Sequence, residues 1–158
     1  MRILGIDPGT ATVGYGIIET SSKGAIFIDA GVISTSKSEA DGDRLYKIHD
    51  QIDRLIKKHK AEILALEKVY FSKNIKTAIS VAQARGVIML AAVQNKLKII
   101  ECSPQDVKMG VAGYGAAGKK QVQKMIAVLL KLKNPPKSDD AADALAAALS
   151  AVNRLKNF

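Results

Sequence analysis

The chain has 158 residues, 47% of them hydrophobic and 25% charged, which is ordinary for a globular protein and predicts a single domain over residues 1–158. Its one cysteine, Cys102, excludes an intramolecular disulfide and fits a cytoplasmic protein, and the apolar runs are too short for a signal peptide or a membrane span. Lys and Arg number 24 against 15 Asp and Glu, and the net charge of +9 predicts a polyanionic partner, with nucleic acid first and an anionic membrane surface second.

The first part of the chain predicts a sheet that begins with three strands. The apolar run RILGI is stopped by Asp7-Pro8-Gly9, which is typical of a buried strand followed by a tight turn. Residues 12–20 and 24–36 continue the sheet as a hairpin, because turn residues separate two apolar segments. A first helix is predicted over about residues 42–59, where apolar side chains recur at helical spacing.

In the second part of the chain, helices and strands alternate. Buried strands are predicted at residues 62–67 and 96–101, and helices at residues 74–95, at about residues 119–131 and after residue 136. A short helix begins after Ser103, with Pro104 at its first position. Three early strands followed by alternating helices and strands indicate an α/β fold with a five-stranded mixed sheet flanked by helices.

The last helix contains three aspartates in the sequence KSDDAADALAAALSAV. Ser138 is a suitable N-cap, and the helix dipole favours Asp139 and Asp140 in the first turn. The dipole does not account for Asp143, which lies on the same face as Asp140 at about 100° per residue. Beyond these acids the face continues with alanines, whereas a face in solvent would be polar. We therefore expect this face to pack closely against another element.

Two further acids stand at the ends of predicted strands, Asp7 after the first and Glu67 after the fourth. If these strands are parallel neighbours, their carboxyl ends lie side by side, where open α/β sheets bind ligands. Together with acids of the last helix they form an all-oxygen cluster suited to Mg²⁺ or Mn²⁺. Two such ions about 3.5–4 Å apart can activate a water and stabilise the leaving oxygen of a phosphodiester. Spacing alone allows either Asp139 or Asp140 to share a face with Asp143.

Other candidate ligands are weaker. His49 and His59 lie in the first helix among lysines, and we expect both at the surface. Glu101 also ends a strand and is a spare candidate, expected at the surface or behind the metal ligands.

Four motifs, in this order, resemble the RuvC family of Holliday-junction resolvases: GIDPGTATVGYG, LEKVYFSKN, QARGV and DAADALAAAL. The resemblance covers nearly the whole chain in length and in motif spacing. It implies a ribonuclease H-like fold and a homodimer that cuts two opposing strands of four-way junction DNA with two Mg²⁺ ions, for which Mn²⁺ substitutes. It further implies a part in DNA recombination and repair, and action with the RuvA–RuvB branch-migration complex.

The resemblance also assigns the acids. By motif, the catalytic and metal-binding residues fall on Asp7, Glu67, Asp140 and Asp143. The family pattern of two acids separated by two residues before Ala-Leu-Ala selects Asp140. Asp139 is then an additional acid that pairs with the helix dipole.

Five residues are candidates for DNA binding: Tyr70, Lys73, Lys108, Lys119 and Lys120. Lys108 and Lys119 lie in a segment similar to the family's basic segment beside the active site, and Lys120 shares or exchanges the role of Lys119. Tyr70 matches a family aromatic that stacks on bases opened at the junction centre. Phe71 is its neighbour, and we expect one ring to face inward and the other outward.

Two glycine-containing segments have a structural reading beside a functional one. The segment GVAGYGAAG is predicted to be a loop that passes close to a backbone or reorders on binding. Gly86 costs stability inside the long helix, so another element is expected to approach it. That element is the parent sheet or, by resemblance to the family, a second subunit.

Three alternatives compete with the resolvase. Another ribonuclease H-like metal nuclease, acting on RNA or on duplex, shares the four acids but does not account for the aromatic and basic segment at 68–73. An actin-like ATP-binding module needs two such domains, and 158 residues are too few for both. A nucleotide-binding P-loop is a separate interpretation of the glycine-rich segment, but the segment lacks the Ser or Thr that completes that motif. A non-catalytic DNA-binding protein predicts a damaged acid cluster. We predict the junction resolvase.

Overall fold

The computed structural model describes residues 1–22, 24–68 and 75–156. Its helices and strands in chain order are β1 (Arg2–Asp7), β2 (Thr12–Ser21), β3 (Gly24–Ser34), α1 (Asp41–His59), β4 (Ile63–Glu67), α2 (Ile75–Gln94), β5 (Lys98–Cys102), α3 (Pro104–Ala112), α4 (Lys119–Leu129) and α5 (Asp139–Lys156). Each of these was predicted from the sequence, with ends that differ by a few residues.

The strands form one mixed sheet in the order β3-β2-β1-β4-β5. The first three strands are antiparallel neighbours, whereas β4 is parallel to both β1 and β5. Parallel pairs require crossover connections, which α1 and α2 supply. In the β1–β4 pair, Ile6 lies opposite Leu66, so the carboxyl ends of the two strands are adjacent. The parallel pairing on which the predicted acid cluster depends is present, and it brings Asp7 and Glu67 to the same edge of the sheet.

Helices cover both faces of this sheet. Because strand side chains alternate between faces, Leu4 packs with Ile48 of α1 and Ile88 of α2, whereas Ile3 packs with Leu145 of α5 on the other face. The helices α3, α4 and α5 belong to this second layer. In the described part of the chain, no helix has the length and continuous apolar surface that a bilayer span requires.

The helix α5 lies unusually close to the sheet because glycines face it. A Cβ atom built on Gly5 of β1 would lie 2.0 Å from the carbonyl oxygen of Ala144, and one on Gly14 of β2 would lie 2.0 Å from that of Asp140. Both distances are far below van der Waals contact, so any side chain at either position would push the helix away. The expectation that the alanine face of α5 packs closely is confirmed.

The ends of α3 explain part of the glycine-rich segment. The Ser103 hydroxyl accepts from the Asp106 amide at 3.1 Å, and the Asp106 carboxylate accepts from the Ser103 amide at 2.8 Å, which forms a capping box. The helix continues to Ala112 and ends at Gly113, whose φ of 80° is left-handed and favours glycine. The start of the segment predicted as a loop is therefore helical.

The prediction for His59 is wrong, because the residue is buried with 9% of its surface exposed. Its Nε2 lies 3.2 Å from the Asp29 carboxylate, and burial lowers the pKa of the imidazole. His59 extends the buried stripe of Ile48, Ile52 and Ile56 along α1, a spacing that was readable in the sequence. His49 is partly exposed and its Nε2 is 2.8 Å from Gln94 Oε1.

We predict that Gly5→Ala lowers the free energy of unfolding by about 2 kcal/mol or more, because overpacking a tight contact costs about 1–3 kcal/mol or more. Urea denaturation followed by circular dichroism measures the change. Gly42→Ala is the matched control: among the described residues, a Cβ on Gly42 in α1 meets nothing within 4 Å, and alanine is the better helix former by about 1 kcal/mol. Equal midpoints for the two variants would contradict the close packing of α5.

Candidate active site

Four carboxylates from three elements come together at one edge of the sheet. Asp7 and Glu67 are the last residues of the parallel strands β1 and β4, and Asp140 and Asp143 lie in the first turns of α5. The close packing of α5 on β1 and β2 brings its amino end over the ends of the strands. The arrangement gathers acids that lie far apart in the chain.

The pKa of Asp7 reflects this arrangement most strongly. Burial, together with repulsion from Asp143, Glu67 and Asp140, raises the pKa of its carboxyl to about 7. The Lys119 ammonium acts in the opposite direction but does not compensate. Asp7 is therefore the acid on which the charges of all the others converge.

The neighbouring acids have the same electrostatic character. Burial and the charge of Asp143 raise the pKa of Glu67, against the lowering effect of Lys108 on α3. Burial also raises the pKa of Asp143, although the nearby Lys119 lowers it. Burial is the largest cause of these shifts and repulsion among the acids adds to it, so ionising the acids is costly unless a cation is bound.

Lys119, the first residue of α4, is the basic side chain in direct contact with the acids of α5. Its ammonium lies 3.1 Å from the Asp139 carboxylate and 3.4 Å from that of Asp143. Asp139 is 67% exposed and also accepts from Gln123 at 2.8 Å, and its bonds to Lys119 and Gln123 lower its pKa. The charge of Asp140 raises the pKa of Asp7, and the charges of Asp139 and Asp140 both raise the pKa of Asp143.

The remaining DNA-binding candidates have different positions. Lys108 is partly buried and close enough to Glu67 to lower the pKa of that acid. Lys120 is exposed, and among the described residues Lys119, not Lys120, contacts the acids. Tyr70 and Lys73 lie outside the described residues, as does Phe71.

Sequence reasoning missed a contact behind Glu67. The Arg85 guanidinium on α2 donates to the carbonyl oxygen of Glu67 at 2.6 Å and pairs with the Glu101 carboxylate. The motif QARGV draws attention to Arg85, but its partners come from two other strands and only the fold shows them. Glu101, a spare candidate from the sequence, is thus the partner of an arginine.

The donor set fits a hard divalent cation. All four groups are carboxylates, which Mg²⁺ and Mn²⁺ prefer, and a cation would favour the ionised acids against the burial and mutual repulsion that raise the pKa values of Asp7, Glu67 and Asp143. Within the described ranges, no group of three or more acidic, histidine or cysteine side chains is arranged to hold a metal ion. The acids are therefore coupled by charge without forming a closed ligand shell.

Comparisons with known proteins agree on one family. The family model for "Crossover junction endodeoxyribonuclease RuvC" matches residues 3–151. A protein of that name from Fusobacterium nucleatum subsp. nucleatum is 50% identical over 155 residues, which are 98% of this chain and 82% of the relative. Its counterpart from Halothermothrix orenii is 50% identical over 149 residues, or 94% of this chain and 90% of the relative.

Solved structures extend the likeness to the fold. The structure of Thermus thermophilus RuvC superposes with a TM-score of 0.93 at 30% identity and covers 99% of this chain and 96% of its own. The T. thermophilus RuvC in complex with Holliday junction substrate gives a TM-score of 0.91 at 27% identity, with the same coverage. The ribonuclease H-like fold predicted from the sequence is confirmed.

We predict that Asp7→Asn stabilises the metal-free protein. Folded Asp7 keeps its proton up to about pH 7, whereas the unfolded chain loses it near pH 3.9. The folded state therefore binds more protons between these values, and stability falls as the pH rises through this window. The variant lacks this fall, so its excess stability grows from about pH 4 to pH 7 and reaches about 1–3 kcal/mol above pH 7. Urea denaturation in EDTA from pH 4 to pH 8.5 measures it.

The control for this stability experiment is Asp50→Asn on α1, in the helical layer across the sheet, where the acid pairs with Arg54 at 2.9 Å. The Asp50→Asn variant should be no more stable to urea than wild type at any pH in this range. An Asp7→Asn protein that is less stable than wild type at pH 8 would contradict the electrostatic account.

Proposed function

The chain belongs to the RuvC family of crossover junction endodeoxyribonucleases, and on this premise we propose that it resolves four-way DNA junctions by paired phosphodiester hydrolysis in opposing strands during recombination and repair. The observation that carries the proposal is the grouping of Asp7, Glu67, Asp140 and Asp143. That grouping lies on a fold that matches a resolvase in complex with its junction substrate.

The four acids are the groups that would hold the metal. Two Mg²⁺ ions, or Mn²⁺ in their place, would activate the attacking water and stabilise the leaving oxygen. Asp7 is central because the charges of Glu67, Asp140 and Asp143 all act on it. The strands fix two carboxylates and α5 fixes two, so the protein orients its ligands on rigid elements before any substrate is bound.

The lysines at the edge of the acid cluster would contact the phosphate backbone. Lys119 is half exposed and already holds a salt bridge to Asp143, so its charge is placed where a scissile phosphate would approach the acids. Lys108 lies on the Glu67 side. Lys120, Lys73 and Tyr70 join the proposed DNA-binding surface through the family resemblance.

A homodimer is proposed from the exposed face of α2. Ile79, Leu90 and Val93 are 70%, 50% and 62% exposed, and Ala82 and Gly86 complete a stripe spaced by three and four residues, which we call the seam. A Cβ on Gly86 would meet nothing within 4 Å among the described residues, so this glycine is not explained by packing on the parent sheet. An apolar helical stripe with a small residue at its centre suits close packing against a second copy.

Three further assignments complete the proposal. Residues 1–158 act as one nuclease domain, which is supported by a single sheet whose strands contribute to both hydrophobic cores. The protein works in the cytoplasm, as its single free cysteine and its DNA substrate favour. The RuvA–RuvB branch-migration complex is its partner by family resemblance.

We predict that wild-type protein with Mg²⁺ cuts a synthetic four-way junction symmetrically and leaves linear duplex of the same sequence intact. Asp143→Asn should lower the rate about 1,000-fold or more, because losing a metal ligand removes several kcal/mol of stabilisation. Gel analysis of end-labelled strands measures both. Asp139→Asn, the adjacent exposed acid, should remain within about tenfold of wild type. Equal cutting of duplex or RNA would assign the site to another ribonuclease H-like nuclease.

We also predict that Leu90→Glu converts the dimer to a monomer, because it places an unpaired charge in the seam. Light scattering coupled to size exclusion measures the mass, and the variant should nick one strand instead of making paired cuts. Val128→Glu on α4, where the valine is 67% exposed, is the control and should stay dimeric. A dimeric Leu90→Glu protein would contradict the seam.

A further inference from the structure

The guanidinium of Arg85 bridges the end of β4, which carries Glu67, and the neighbouring strand β5. One terminal nitrogen donates to the carbonyl oxygen of Glu67 at 2.6 Å, and the other pairs with the Glu101 carboxylate on β5. The Arg85 side chain is 18% exposed. Arginine can make these two contacts at once because its donors form a rigid planar fork, which lysine lacks.

These contacts fall where the regular sheet ends. The β4–β5 ladder runs to Glu67 opposite Cys102, and one further bond joins the Lys68 amide to the Cys102 carbonyl at 2.8 Å. The Glu67 carbonyl is thus held by a side chain at the point where its strand leaves the sheet. Its carboxylate stays available to the site, and Lys108 is the cation that lowers its pKa.

The Glu101 end of this contact is itself fixed. Arg154 of α5 donates to the Glu101 carbonyl oxygen and lies 3.6 Å from the Asp106 carboxylate. Asp106 caps α3, the helix that carries Lys108. The arginine contact on Glu67 is therefore continuous with the elements that surround the site.

We propose that Arg85 is a positioning residue for Glu67: it sets the orientation of this acid toward the metal by holding its carbonyl against β5, without touching substrate or metal. This role rests on the proposed function and deepens it. Groups that orient metal ligands typically change metal affinity or activity about 10–100-fold when they are replaced. Arg85 immediately precedes Gly86 of the seam. The bond from Arg85 to the Glu67 carbonyl therefore connects α2, the helix of the proposed dimer interface, to the active site.

The test uses Arg85→Lys, which keeps the charge but cannot form the fork. Calorimetric titration of the DNA-free protein with Mn²⁺ should show affinity about tenfold weaker. Junction cleavage should lose about 10–100-fold in kcat, while KM for the junction stays within about threefold. Glu101→Gln should also weaken Mn²⁺ affinity and lower kcat. The double variant should lose no more of either than Arg85→Lys alone, since both substitutions disrupt the same contact between Arg85 and Glu101.

The matched control is Arg54→Lys on α1, whose arginine pairs with Asp50 at 2.9 Å on the helix surface. It should leave Mn²⁺ affinity and kcat as in wild type. An Arg85→Lys protein with a lower melting temperature but with the Mn²⁺ affinity and kcat of Arg54→Lys would overturn the proposal and leave Arg85 a stabilising residue. If Arg85→Lys does not fold, Glu101→Gln decides by the same two readouts.

The Mn²⁺ titration also separates this proposal from the proposed function. Wild-type protein that binds Mn²⁺ but does not cut junctions would refute the resolvase, and the affinity of Arg85→Lys would still decide whether Arg85 orients Glu67. Wild-type protein that cuts junctions, with no effect of Arg85→Lys on either readout, would refute only the role of Arg85.

Discussion

The direct contact between α5 and the backbone of two strands determines the geometry of the candidate site. Gly5 and Gly14 remove the side chains that would otherwise separate the helix from the sheet, and the alanines of α5 do so from the other side. The amino end of the helix thereby reaches the ends of β1 and β4. If the helix stood farther from the sheet, Asp140 and Asp143 would be too distant to act on Asp7, and the carboxylates would not be coupled.

This packing has an electrostatic cost that the protein tolerates at the site. Like charges brought together and partly buried disfavour folding unless a cation accompanies them, and the raised pKa values of Asp7, Glu67 and Asp143 express that cost. Lys119 offsets part of it at Asp143 and Asp7, and Lys108 offsets part of it at Glu67. The apolar cores on both faces of the sheet stabilise the fold enough to offset the cost of the charged site.

Much of this architecture was predictable because its signals are local. Strand-terminal acids, the hydrophobic periodicity of the helices and the alanine face of α5 all follow from residues close in sequence. The contact of Arg85 with Glu67 and Glu101 was not predictable, since it joins α2 to two strands and depends on the positions of all three. His59 shows the opposite case: its place in the buried stripe of α1 was visible in the spacing, but neighbouring lysines suggested solvent.

The late position of α5 in the chain has a consequence for synthesis. The ribosome makes β1 and β4 well before the helix that carries Asp140 and Asp143. A nascent chain that lacks α5 therefore has only two of the four grouped carboxylates. The same helix completes the hydrophobic core on its face of the sheet. Packing on this face of the sheet and the grouping of the four carboxylates therefore arise together, once α5 has been made.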